Sequence, residues 1–287
     1  MTAALLTGDE LRELAALAAR VRGRAGEAAG TAATARLGRG YELHGHDPYR
    51  PGDDARAIDW RARLRTGELW VRRHRAEGDG GVRLMVDDSA SMTEARRAVA
   101  ARLAAALAVV AGAAALPVAI DGLAGAGRRG GADRARLDAA GAQRALARLG
   151  ALGRGGTLGL GDALARACRA VRPDEQVVLL SDLADPAPPD ELAAAVARLA
   201  RRIACVHLVD GRDAELGGGV DELRCAETGA RRRLDDAAAT GFAAAIAGWR
   251  RRVVDGLRHR GVPVVVIDAA SPPRLVDAAG ELVALWS

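Results

Sequence analysis

Two textures of apolar and polar positions divide the chain. From residue 82 onward, short uninterrupted apolar runs alternate with longer alanine-rich stretches of helical period. The runs are Val82–Val86, Pro117–Ile120, Val177–Leu180, Ile203–Val209 and Val264–Ile267. Continuous apolarity, unlike strict alternation, predicts strands covered on both faces. The stretches between them, Thr93–Ala114, Ala140–Leu149, Leu160–Ala170, Pro189–Arg202 and Thr240–Arg260, predict helices, because alanine gives up no side-chain freedom in that state. The Gly- and Arg-rich stretch 122–136 reads as a turn or hairpin. Strand–helix alternation of this kind predicts an α/β fold: a Rossmann-like, mostly parallel sheet with helices on both faces. Ligands of such sheets gather outside the carboxyl ends of the strands.

The first eighty residues read differently. Thr7-Gly8-Asp9-Glu10 has the form of a capping box, and Leu11, Leu14, Leu17 and Val21 then share one helical face. This predicts a short amphipathic helix ending before the Gly-rich "GRAGEAAG". Residues 36–80 hold four of the six Trp and Tyr residues of the chain. There Pro51-Gly52 predicts a turn, Asp53 or Asp54 a helix cap, Ala55–Arg63 a short helix and Leu69–His74 a strand. The predicted organisation is an N-terminal helix and linker over 1–35, a small charged α+β extension over 36–80, and the main domain over 81–287.

Composition narrows the chemistry. Aromatic residues are only 2% of 287, so the core must be aliphatic. The 42 basic residues are all arginine. Without lysine there is no amine for the phosphates of a P-loop nucleotide site, for a Schiff base or for a receiver domain. The net charge of +5 is spread among interleaved acids, and few aromatics are available to stack bases, which argues against a nucleic-acid surface. "RRR" at 231–233 is a candidate contact for an acidic partner. Cys168, Cys205 and Cys225 fit neither a zinc nor a disulfide spacing, and Cys205 reads as a core residue. No signal peptide and no uncharged apolar run long enough to span a bilayer is evident, so a soluble, cytoplasmic protein is expected.

Candidate chemistry concentrates where apolar runs stop. In "RLMVDDSASM" the run ends at Val86 and is followed by Asp87, Ser89 and Ser91. The glycine loop "LGRGGTLGLGD" adds Thr157, and the run 177–180 leads into Asp182. Five oxygen donors, two of them carboxylates, suit a hard cation such as Mg²⁺ and leave it surplus charge for an outside carboxylate. Singly, Ser89 and Ser91 also read as caps for the helix that begins near Thr93. A phosphotransferase of haloacid dehalogenase type would start with Asp-x-Asp, one acid as nucleophile and one as proton donor. Here the second place is Ser89, and only Asp182 and Asp185 keep that alternative open. His44, His46 and Asp47 lie close in sequence but lack further partners for a metal site. His207 reads as a hydrogen-bonded core residue. No Ser-His-Asp or Cys-His nucleophile pattern is present.

The same residues carry a resemblance. Asp-x-Ser-x-Ser at 87–91, Gly-Gly-Thr at 155–157 and a later strand-terminal Asp182 resemble the metal-ion-dependent adhesion site of von Willebrand factor A domains. "YRPGDDARAIDWRARLRTGELWVRR" running into "LMVDDSASM", and "LRCAETGARRRLD" at 223–235, resemble more narrowly the bacterial family DUF58. That resemblance implies a von Willebrand factor A-like fold, Mg²⁺ held by Asp87, Ser89, Ser91, Thr157 and Asp182, and a non-enzymatic role in protein binding. It further implies work beside a MoxR-type AAA+ ATPase in maturing or remodelling a client, methanol dehydrogenase being the known example. Longer relatives carry transmembrane helices near the N-terminus, so a short soluble form is expected here. In the extension, Trp60, Arg61, Arg65 and Arg72 are the expected docking residues, since Trp and Arg dominate binding hot spots. The alternative is that this segment only covers a sheet edge beside Val82–Val86.

Overall fold

In the computed structural model, residues 5–32, 43–49, 58–74, 81–123, 135, 137–151, 159–214, 222–226 and 229–286 are described. The capping box forms: the Glu10 amide donates to Thr7 Oγ1 at 3.2 Å, and the Thr7 amide donates to Glu10 Oε2 at 2.8 Å. Helix α1 (Gly8–Ala32) that follows runs straight through the Gly-rich stretch predicted to end it. An interior glycine weakens a helix by only about 1 kcal/mol, and the alanines around these offset that.

By contacts the chain divides into two compact units, Arg22–Gly80 and a larger one of residues 1–21 with 81–287. In the smaller unit, β1 (Leu43–Pro48) and β2 (Trp70–His74) pair antiparallel, with α2 (Trp60–Thr66) before β2. Helix α2 starts later than the spacing predicts because Asp59 caps it, its Oδ1 accepting from the amides of Arg61 and Ala62 at 2.9 and 3.0 Å. It stops at Gly67, whose φ of 79° few other residues adopt at low cost. Asp53 and Asp54, the predicted caps, lie outside the described residues. His44, His46 and Asp47 sit on β1.

The larger unit is built on β3 (Val82–Val86), β4 (Val118–Gly122), β5 (Gln176–Ser181), β6 (Arg202–Val209) and β9 (Val264–Asp268). These five pair in parallel in the order β4-β3-β5-β6-β9. Ala135 bridges Val118 in the antiparallel sense. Helices α3 (Glu94–Ala113), α4 (Ala139–Ala151), α5 (Leu160–Ala167), α6 (Pro189–Ala197), α7 (Asp236–His259) and α8 (Leu275–Ala284) cover the faces. Leu84, Val86, Val178, Leu180, Ala204 and Val206 join one apolar cluster with α3, α4, α8 and the start of α1. Met85, Val177, Leu179, Ile203 and Cys205 join the other, with α5, α6 and α7. Alternate residues of each strand therefore enter opposite cores, as the pleat requires. The one charge inside β3, Arg83, donates to Glu175 Oε2 at 2.8 Å and also pairs with Asp121.

Four sequence expectations shift. Helix α6 ends at Ala197, because Arg202 already pairs with Gln176 in the sheet. Helix α7 starts at Asp236, capped by Asp235, whose carboxylate accepts from the Ala238 amide at 2.7 Å. Helix α8 and the short antiparallel pair β7 (Glu222–Arg224) and β8 (Arg231–Arg233) were not predicted. Strand β3 pairs on both sides, and the edge of the sheet next to it is β4. Among the described residues no helix is long and apolar enough to cross a membrane.

Candidate functional site

The carboxyl ends of β3 and β5 lie side by side, with Val86 opposite Leu180. The Asp87 amide continues the ladder, donating to the Leu180 carbonyl at 2.9 Å. Asp87 is thereby set beside Ser181 and only 2% exposed. Its Oδ2 accepts from Ser181 Oγ at 2.5 Å and its Oδ1 from the Ser89 amide at 2.9 Å. The Ser89 and Ser91 hydroxyls face each other at 3.0 Å, and Ser91 Oγ donates to Asp182 Oδ1 at 3.3 Å. Asp182 is held by the Ala184 amide at 3.0 Å and by Arg96 Nη1 at 3.1 Å. Four of the five predicted ligands are thus one connected group. Thr157 lies outside the described residues.

The cap for α3 is not part of this group. Thr93 Oγ1 accepts from the Arg96 amide, so the helix needs neither Ser89 nor Ser91 as its cap. After β5 the chain turns sharply at Leu183, a buried residue with φ of 57° whose amide donates to Ser181 Oγ at 2.9 Å. A leucine in that region carries strain on the order of 1 kcal/mol. The turn fixes the pair Ser181–Asp182 at the strand end.

Electrostatically the group is short of positive charge. Burial, and then the neighbouring Asp182 carboxylate, push the Asp87 carboxyl up to about 6, although hydrogen bonds from Ser181 and Ser89 pull the other way. A carboxylate made costly by burial and by a like charge is stabilised by a bound cation. Among the described residues no group of three or more His, Cys, Asp or Glu is placed to hold a metal. A divalent ion here depends on the serine hydroxyls.

Several functional neighbours escape sequence reading. Arg96 of α3 donates to the Ser91 carbonyl at 3.1 Å as well as to Asp182. Arg96 and Arg250 of α7 both pair with the same oxygen of Asp213, Oδ2. With Trp249, Ile246 and Asp182, these three residues line a cavity of about 320 Å³ beside the serines. Arg96 carried one readable signal, since it falls on the helical face of Ala100, Leu103 and Leu107. Its pairing with Asp213 joins residues too far apart for spacing to reveal.

His207 is buried at 1% exposure, but neither ring nitrogen has a hydrogen-bond partner among the described residues, contrary to the expectation of a bonded core histidine. Burial and the Arg250 charge push it down to about 4; the Asp182 main chain nearby, not in bonding geometry, works the other way. Ser181 and His207 are register partners on β5 and β6. Ser181 gives its hydrogen bond to Asp87 and is fully buried, so it is not arranged as a nucleophile. Asp185 holds the start of α5, accepting from the Gly161 amide at 2.9 Å and from the Ala187 amide at 2.7 Å.

In the smaller unit, Trp60 and Leu64 lie one turn apart on α2 and are 58% and 89% exposed. Arg61 and Arg65 of the same helix are exposed too. Arg72 lies on β2 opposite His46. The arginines 231–233 form β8 and are exposed, Arg231 pairing with Glu222.

No curated protein and no solved structure is significantly similar to the chain. A family model described as protein of unknown function DUF58 matches residues 46–251, well over half of the chain and a span that includes the strand-end group, and the chain belongs to that family.

Proposed function

We propose that the protein is a non-enzymatic, Mg²⁺-dependent protein-binding adaptor of von Willebrand factor A-like architecture. Asp87, Ser89, Ser91 and Asp182, with Thr157, would hold the ion, and a partner carboxylate would complete its coordination. The observation that carries this reading is the Ser89–Ser91 hydroxyl separation of 3.0 Å inside a group containing two carboxylates. Two oxygens bound side by side to an octahedral ion with bonds of about 2.1 Å lie roughly 3 Å apart. The raised pKa of Asp87 supports it, since a cation relieves that cost. The bound ion would supply an electrophilic position for an acidic side chain. The protein supplies its placement at the strand ends, where ligands of parallel sheets gather.

Binding is favoured over turnover by the state of Asp87. Both of its oxygens are engaged and it is almost wholly buried, a poor posture for a nucleophile. The partners in this reading are a MoxR-type AAA+ ATPase and a client protein. Trp60, Arg61, Arg65 and Arg72 provide a further docking face, to which the exposed Leu64 adds apolar area.

Titration calorimetry with Mg²⁺ tests the site. Asp87→Ala removes a charged ligand, so Mg²⁺ binding should fall at least tenfold while circular dichroism stays unchanged, and chelator-sensitive partner capture should disappear with it. Unchanged Mg²⁺ affinity in Asp87→Ala would remove the assignment.

A further inference from the structure

Two arginines line the cavity beside the serines. Arg96 and Arg250 come from different helices, α3 and α7, and both direct a guanidinium to one carboxylate oxygen, Asp213 Oδ2. Arg96 is 5% exposed, and its Nε has no partner among the described residues. A guanidinium carries five donors and no acceptor. Beyond Asp213, Arg96 is engaged by the Ser91 carbonyl and by Asp182, whereas Arg250 makes only its Asp213 contact among the described residues. A buried donor left unpaired carries a desolvation cost.

From this geometry we infer that the cavity is a second acidic subsite: it takes the carboxylate of a glutamate-type side chain of the partner, bound by Arg96 and Arg250 in competition with Asp213. The chemistry of the walls decides the ligand class. Ile246 and Trp249 offer apolar surface for a methylene stem. Asp182, Asp185 and Asp213 also line the cavity, three carboxylates to two guanidiniums, so an entering anion must displace Asp213, and a monoanionic carboxylate is repelled less than phosphate. Guanidinium and carboxylate match as a two-pronged fork. Asp213, on the short turn Gly211–Ala214, already holds the place that such a carboxylate would share. The identity of the ligand as a partner side chain rests on the proposed adaptor function, but the arginine subsite stands on its own contacts. The partner would then present two acidic groups, one for the ion and one for the arginines.

The test uses the full chain and N-acetylglutamate N-methylamide as probe, followed by nuclear magnetic resonance of the arginine Nε–H groups. The titration is run once with chelator and once with Mg²⁺. Saturable shifts of the Arg96 and Arg250 signals are expected in both arms. Arg250→Gln should weaken binding roughly tenfold, and Asp213→Asn, which removes the internal competitor, should tighten it severalfold. The subsite is overturned by absence of saturable shifts, by equal affinity in Arg250→Gln, or by tighter binding of inorganic phosphate. Binding seen only with Mg²⁺ also overturns it, since the probe would then sit on the ion. Binding that is identical in both arms upholds the subsite, whatever calorimetry says of the metal. If Arg250→Gln proves unfolded, the Asp213→Asn arm decides: unchanged affinity there sinks the competition.

Discussion

Burial beside Arg250 sets the titration of His207, and the consequence for stability has a definite sign. Its folded value is near 4 against the usual 6.5. Between those values the unfolded chain binds a proton that the folded protein does not, so stability is lost as pH falls from 6.5 towards 4. At pH 5 the loss amounts to about 2 kcal/mol. Asp87 works in the opposite direction. Its carboxyl is raised to about 6, so the folded state gains on acidification below that value. His207→Leu should therefore be more stable than the parent at pH 5 by about 2 kcal/mol or more, with a smaller difference at pH 7. Urea unfolding at the two pH values measures this, and an equal difference at both would show that His207 does not titrate as described. At this scale the site was partly legible. Asp87, Ser89, Ser91 and Asp182 stand out because each is among the first polar residues after an apolar run. Ser181 meets the same criterion, yet its role and that of Asp213 stay hidden, because their partners lie 94 and 117 residues away.

Helix α3 shows how packing reverses an intrinsic preference. Gly112 lies in its last turn, and a Cβ there would run into the Leu137 carbonyl. By helix propensity alone, Gly→Ala should stabilise by about 1 kcal/mol. The backbone overlap should outweigh that, so Gly112→Ala is expected to destabilise by roughly 1–3 kcal/mol, as overpacking does. A melting temperature at or above that of the parent would refute the close approach. Among whole elements, the five sheet strands were legible because a parallel strand buried on both faces leaves an unbroken apolar run. Helix ends were less so. The glycines of α1 point to an earlier end than the one observed, and α8 lies beyond the predicted helices although Leu275, Ala278, Ala279, Leu282 and Val283 repeat with helical period. The pair β7–β8, three residues in each strand, is too short to leave any period.

For the whole molecule, the chain divides into two units, and each carries one of the proposed binding surfaces. If α2 docks a partner, Arg61→Ala with Arg65→Ala should weaken capture of the ATPase or client severalfold, with little change in melting temperature, because both side chains are exposed. A sharp drop in melting with unchanged affinity per folded molecule would mark α2 as scaffold only. The pairing of Glu13 with Arg274, at 2.8 Å across 261 residues, has a different consequence. Leu14, Leu17 and Ala18 belong to the same apolar cluster as Ala278, Ala279 and Leu282. During synthesis helix α1 can meet α3 early but lacks its α8 neighbours until that helix has left the ribosome, a wait on the order of 10–50 s at usual elongation rates. Through that interval part of the apolar face of α1 stays open to chaperones and proteases. Ribosome-bound chains stalled before Arg274 should accordingly be cut by trypsin after Arg12 and Arg20 much faster than chains stalled beyond α8.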